Sequence, residues 1–271
     1  MGLALTNTRV RSALERTVLA VDTTVNSGTI NPGDAVYNTG VGAAQLQAPS
    51  GLTAAIVSEI AKFKGISQDA YPIPYSDGLT ETVTNPAVAV LVEGEFSFKT
   101  TAGDSLVPGS DVSIGVDPQH VQLASNLAPA APTCALSATA ASATNGLANA
   151  QHSVALTWIT ALGETAPGPA TDGATTLTTG VDPSITVTVP ALPVYALACG
   201  IYVDGLLADT ATAAGAVTVS GYSGSLNAAP LHSALAIGVV AEDQTSVGGS
   251  VGSTVTGAVG QNVVVKIAPK A

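Results

Sequence analysis

No lysine or arginine occurs between residues 129 and 228; all eight bases of the chain lie outside that stretch. The stretch does carry acids, at Glu164, Asp172, Asp182, Asp204 and Asp209. A segment of about a hundred residues with its own charge rule reads as a separate module. The flanking sequence supports this. Residues 62–68, KFKGISQ, have the pattern of a strand with a glycine where the backbone passes close to a neighbour. Residues 112–123, VSIGVDPQHVQL, read as a hairpin that lacks its next strand. A strand of similar grammar, SALAIGVVAED at residues 233–243, comes only after the base-free stretch. The expectation is one β-domain, residues 1–128 plus 229–271, interrupted by a second at 129–228.

Along the chain most signals are those of strands. Residues 1–20 gather Arg9, Arg11 and Arg16 and are expected to form an N-terminal arm. Asn31-Pro32-Gly33-Asp34 is turn chemistry, and the phrase recurs at residues 107–112 as VPGSDV. Each time a turn feeds a valine strand, as at two corners of a roll or barrel. Residues 52–63, LTAAIVSEIAKF, are the best helix candidate, with Ile56, Ile60 and Phe63 on one face. In residues 87–100 alternation sets Phe96 and Phe98 on one face and Glu95, Ser97 and Lys99 on the other. Residues 124–135 read as a Pro/Ala linker. Within the module, Val154, Leu156 and Trp158 alternate, ITVTVPALP alternates strictly, and Asp204-Gly205 is a strong hairpin signal. Strands at roughly ten-residue spacing with an early tryptophan predict a β-sandwich of the immunoglobulin or fibronectin III class. The fold class is therefore all-β in the main: a small β-roll or barrel with one short helix, interrupted by an Ig-like sandwich.

Charge and chemistry restrict the function. The net charge of −11 disfavours nucleic acid as partner. No apolar run reaches the roughly 20 residues that span a bilayer, and no signal peptide is seen; Gly2 followed by Thr6 is only a weak myristoylation pattern. There is no phosphate loop, dinucleotide fingerprint, HExxH or CxxC. His120, His152 and His232 are lone and read as solvated loop residues. Glu93 and Glu95 lie two apart on an expected strand, but on its wet face, and Asp69 and Asp77 are too scattered for a calcium loop. Cys134 and Cys199 could meet across a sandwich core, with free buried thiols the favoured reading. No catalytic residue, cofactor or metal site is expected, which favours a structural or binding role.

The phrases SEIAKFKGISQDAYP, FSFKTTAGDSLVPGSDVSIGVD and ALAIGVVAEDQT, with the closing VVVKI, resemble the small β-domain of tailed-phage capsid decoration proteins. SVALTWITALGETAPGPAT resembles the Ig-like or fibronectin III-like domains that phage structural proteins display. An inserted rather than appended display domain departs from the usual pattern. The resemblance implies a virion protein on the outer capsid surface, made in the host cytoplasm. It would bind the major capsid protein, stabilise capsomer junctions and form a homo-oligomer, with a trimer favoured. Arg9, Arg11 and Arg16 would then be capsid contacts, and the displayed domain a binder of host-surface glycans. The alternative is a surface adhesin or carbohydrate-binding module, which would want an export signal and exposed aromatics.

Overall fold

The computed structural model describes residues 16–25, 28–74, 80–81, 86–100, 105–137, 146–148, 150–171, 184–225, 227–241, 255–256 and 262–267. The chain forms two compact units. Unit 1 combines residues 1–123 with 236–271, and unit 2 is residues 124–235. In chain order the elements are β1 (Arg16–Ala20), β2 (Ala35–Asn38), β3 (Ala43–Gln45), α1 (Ala54–Ile60), β4 (Phe63–Ser67), β5 (Ile73–Pro74) and β6 (Thr80–Glu81). There follow β7 (Ala87–Leu91), β8 (Gly94–Thr100), β9 (Ser105–Leu106), β10 (Asp111–Ile114) and β11 (His120–Leu123). Unit 2 supplies β12 (Thr133–Ser137), β13 (Val154–Thr160), β14 (Gly163–Glu164), β15 (Ser184–Val189), β16 (Ala196–Val203), β17 (Leu206–Ala211) and β18 (Gly215–Val219). The chain ends with β19 (Gly238–Val240), β20 (Val255–Thr256) and β21 (Asn262–Ile267). The protein is all-β, with α1 its one α-helix among the described residues.

Among the described residues unit 1 holds two larger sheets and two two-stranded ones, β5-β6 and β9-β20. The first is antiparallel, in the order β1-β7-β4-β2-β3. Its edges meet in a bridge between Val21 and Ala43. Only glycine permits this closure at position 42, because a Cβ there would lie 2.5 Å from the Ala20 carbonyl oxygen. At Gly65 (φ +139°) a Cβ would come within 2.0 Å of the Leu91 carbonyl oxygen, which is the close passage expected of that strand. Val21, Ile30, Val36, Ala43, Tyr71, Val88 and Val90 form the core. The second sheet is a closed barrel, β10-β11-β8-β21-β19. Strict alternation along β8 buries Phe96 and Phe98, which pair in register with Val265 and Val263 of β21. Val112, Ile114, Val121 and Ile267 are equally buried. Each such side chain contributes on the order of 1.5–3 kcal/mol by leaving water.

Both proline-glycine turns form, with Gly33 at φ +91° and Gly109 at φ +83°. Helix α1 is capped by Thr53, whose Oγ1 accepts from the Ile56 amide at 3.3 Å. It buries Val57 and Ile60, not Ile56 as expected; seven residues give two turns, and either spacing satisfies a two-turn helix. Among the described residues of 233–243 the expected strand is confined to β19, because Ser233 and Leu235 are already buried in unit 2; residues 242–243 lie outside the described residues.

Unit 2 is a sandwich of a three-stranded sheet, β12-β15-β18, and a four-stranded sheet, β14-β13-β16-β17. Val154, Leu156 and Trp158 of β13, with their in-register neighbours Val203, Ile201 and Cys199 of β16, share one core with Ile185 and Val187 of the other sheet. Asp204 (φ +52°) and Gly205 (φ +79°) make the β16–β17 turn with both residues left-handed, as a two-residue hairpin of primed type requires. The supposed linker is ordered into the unit: residues Ala124–Leu127 form a short 3₁₀ helix and β12 begins at Thr133.

The chain enters and leaves unit 2 at one end of the four-stranded sheet. On entry, Tyr195 donates its hydroxyl to the Leu127 carbonyl at 3.0 Å, and the neighbouring Ala196 pairs with Thr160. On exit, the Ala234 amide donates to the Glu164 carbonyl at 3.0 Å, beside the turn that pairs Thr160 with Gly163. The exit segment comes from the opposite end, where the Ala229 amide donates to the Gly205 carbonyl. Residues 229–234 therefore run the length of the sheet as a strap.

Candidate interaction site

Arg9 and Arg11 lie outside the described residues. Arg16 is described and exposed, and it opens strand β1 rather than lying on an unstructured arm. Its backbone pairs with Leu91. Along β1 the burial alternates, so Arg16, Val18 and Ala20 face solvent. Val18 is 62% exposed. Val41, 78% exposed, sits in the β2–β3 turn whose Gly42 abuts Ala20. Arg16 and Val18 are thus exposed on β1, and Val41 is exposed in the turn that meets the end of that strand. Asp22 fixes this meeting point. Its Oδ1 accepts from the Thr24 amide and hydroxyl, and its Oδ2 from the Thr39 hydroxyl at 2.6 Å. Those bonds, from Thr24 first and then Thr39, hold its pKa below the ordinary carboxylate value.

Asp34, the acid of the first proline-glycine turn, is fully buried. Oδ2 accepts from the Asn31 amide and Gln45 Nε2, each at 2.7 Å, and Oδ1 accepts from Gln119 Nε2 at 2.9 Å. The carboxylate thereby ties the first sheet to the β10–β11 turn of the barrel. Burial pushes its pKa up, and the amide bonds only partly offset this.

Unit 2 carries two further polar clusters. Glu164 accepts from the Thr157 hydroxyl and, at 2.9 Å, from the Tyr202 hydroxyl. Gly200 makes room, since a Cβ there would lie 2.6 Å from Glu164 Oε1. The second cluster corrects the reading of His152 as solvated: the ring is 3% exposed. Its Nδ1 lies 2.7 Å from Asp204 Oδ2, and its Nε2 lies 2.9 Å from the Ala148 carbonyl oxygen. Asp204 Oδ1 also accepts from the Ser153 amide, and Oδ2 from the Tyr222 hydroxyl. Burial raises the Asp204 pKa, but the bonds from His152 and Ser153 outweigh it and the net shift is downward. The signal missed was a partner 52 residues away in sequence.

His120 is likewise not a free loop residue; it lies on β11 with Nδ1 2.7 Å from Asp117 Oδ2. His232 is exposed. Glu93 precedes β8, so Glu93 and Glu95 do not share a strand face. Asp69 accepts from the Ala89 amide at 2.8 Å, and Asp77 lies outside the described residues. Cys134 and Cys199 are free thiols, with burial pushing Cys199 up to about 12 and Cys134 up as well. Among the described residues no group of His, Cys, Asp and Glu is arranged to hold a metal ion. No helix among them is long and apolar enough to cross a membrane. No family model matches the chain, and no match is found among curated proteins or solved structures.

Proposed function

We propose that the chain is a structural virion protein that binds the outside of an assembled phage capsid, stabilises capsomer junctions and displays the sandwich of unit 2. Its partner is the major capsid protein, and it works as a homo-oligomer, with a trimer favoured. The observation that carries this reading is the path through unit 2. Entry at Leu127 and exit at Ala234 share one end of the four-stranded sheet. A complete sandwich is thus held from one end, which suits a module presented to solvent.

The charge distribution supports contact through the start of unit 1. Residues 1–16 hold three bases and one acid, whereas residues 17–271 hold five bases and 18 acids. Arg9, Arg11 and Arg16 supply a cationic stretch of sequence on an acidic protein, and the exposed Val18 and Val41 of unit 1 add apolar area. Exposed charges contribute little singly and more when covered. Affinity then comes from buried area and from the number of copies engaged.

Co-sedimentation with undecorated capsids at low and high salt tests the proposal. Removing residues 1–15 together with Arg16→Ala should weaken binding strongly. Replacing residues 124–235 by a short Gly/Ser linker should leave it largely intact. Salt should weaken the full chain only in part. Full binding by the truncated chain, with none by the insert deletion, would reverse the assignment and favour an adhesin-like role for unit 2.

A further inference from the structure

We infer that His152 is a proton-operated clasp at the end of the four-stranded sheet opposite the chain connections. The ring is buried with an acceptor on each side: the Asp204 carboxylate at 2.7 Å from Nδ1 and the Ala148 carbonyl at 2.9 Å from Nε2. A neutral imidazole has one N–H and one lone pair, and only the imidazolium donates to both acceptors at once. The cation ties Ala148 and the described residues 150–153 to the β16–β17 turn. Loss of the proton turns a lone pair toward either the carbonyl or the carboxylate, and the ring is too enclosed for water to replace the lost bond readily.

Among the described residues, the polar groups at the ring come from three pieces of chain. Asp204 comes from the β16–β17 turn, and the Tyr222 hydroxyl sits 3.1 Å from the same Oδ2. On the ring's own segment the facing group is the Ala148 carbonyl, and Leu147 beside it is buried in the sandwich core. The Ser153 amide holds the other Asp204 oxygen at 2.9 Å. Three pieces of chain converge on one carboxylate and one ring. Rising pH therefore loosens residues 146–148 and 150–153 and leaves the apolar core in place.

The test uses the full chain. Long-range proton–nitrogen spectra of the ring are recorded from roughly pH 5 to 8.5, together with amide exchange of residues 146–153 corrected for intrinsic rates. The ring should carry two protons at the acid end, and protection of the segment should fall roughly five- to tenfold toward the alkaline end. In His152→Gln that pH dependence should vanish. Asp204→Asn should lower protection already at the acid end. A ring that is neutral throughout, flat protection in the natural chain, or an unchanged profile in His152→Gln would each overturn the clasp. Should His152→Gln fail to fold, the ring spectrum of the natural chain decides alone.

Discussion

Asp34 and Asp204 are both carboxylates wrapped in hydrogen bonds, yet acid acts on them in opposite directions. For Asp34 burial dominates and its native pKa is raised. The native state therefore holds this proton more tightly than the unfolded chain. The contribution of Asp34 is greatest below the ordinary carboxylate value near 4 and is lost as pH rises through the native value. For Asp204 the donors win and the native pKa is lowered. Its contribution is present above the ordinary value and is lost as pH falls through the native one. Urea denaturation of Asp34→Ala and Asp204→Ala against the natural chain, from about pH 3 to 5, should show the two stability gaps moving oppositely. The Asp34 gap should narrow with rising pH and the Asp204 gap should widen. Asp34→Ala also strands three buried amide donors, and should cost about 2 kcal/mol or more even at neutral pH. Parallel pH profiles for the two variants would contradict this account.

At the scale of elements, alternation and turn chemistry were legible because they are local. β8 and β13, both proline-glycine turns and the Asp204-Gly205 hairpin follow directly from the residues present. Trp158 sits in the sandwich core as its spacing with Val154 and Leu156 implies. Trp158→Ala should cost about 3–5 kcal/mol through the cavity left behind. The natural chain should show the blue-shifted tryptophan emission of a buried indole, and emission typical of a fully exposed one would refute the packing. What was not legible depends on distant partners. His152 reads as solvated until Asp204 is folded beside it. The need for glycine at position 200 likewise comes from Glu164 and Thr157, which a Cβ there would meet at 2.6 and 2.5 Å. Arg16 was legible as an exposed cation, but its place in a sheet depends on β7, some seventy residues further along the chain.

For the whole molecule, the limits of unit 2 decide how it can be cut. The 3₁₀ turn and the strap are bonded into the unit at Tyr195, Gly205 and Glu164. A fragment of residues 124–235 should unfold in one cooperative step. A fragment of residues 129–228 lacks those bonds and should melt several degrees lower, as a loss of about 1 kcal/mol or more shifts a domain of this size by 4–8 °C. Equal melting temperatures would show that the flanks are passive.

The barrel takes β8, β10 and β11 from before unit 2 and β19 and β21 from after it. On the ribosome this imposes an order. The sandwich is complete in sequence once residue 235 has emerged, whereas β8 still lacks its antiparallel neighbour until residues 262–267 arrive. Domains generally fold as units during synthesis. A nascent chain therefore carries a finished sandwich beside an open barrel edge, and a product cut short before β21 keeps that edge exposed. Closure of the barrel thus marks a chain translated through β21.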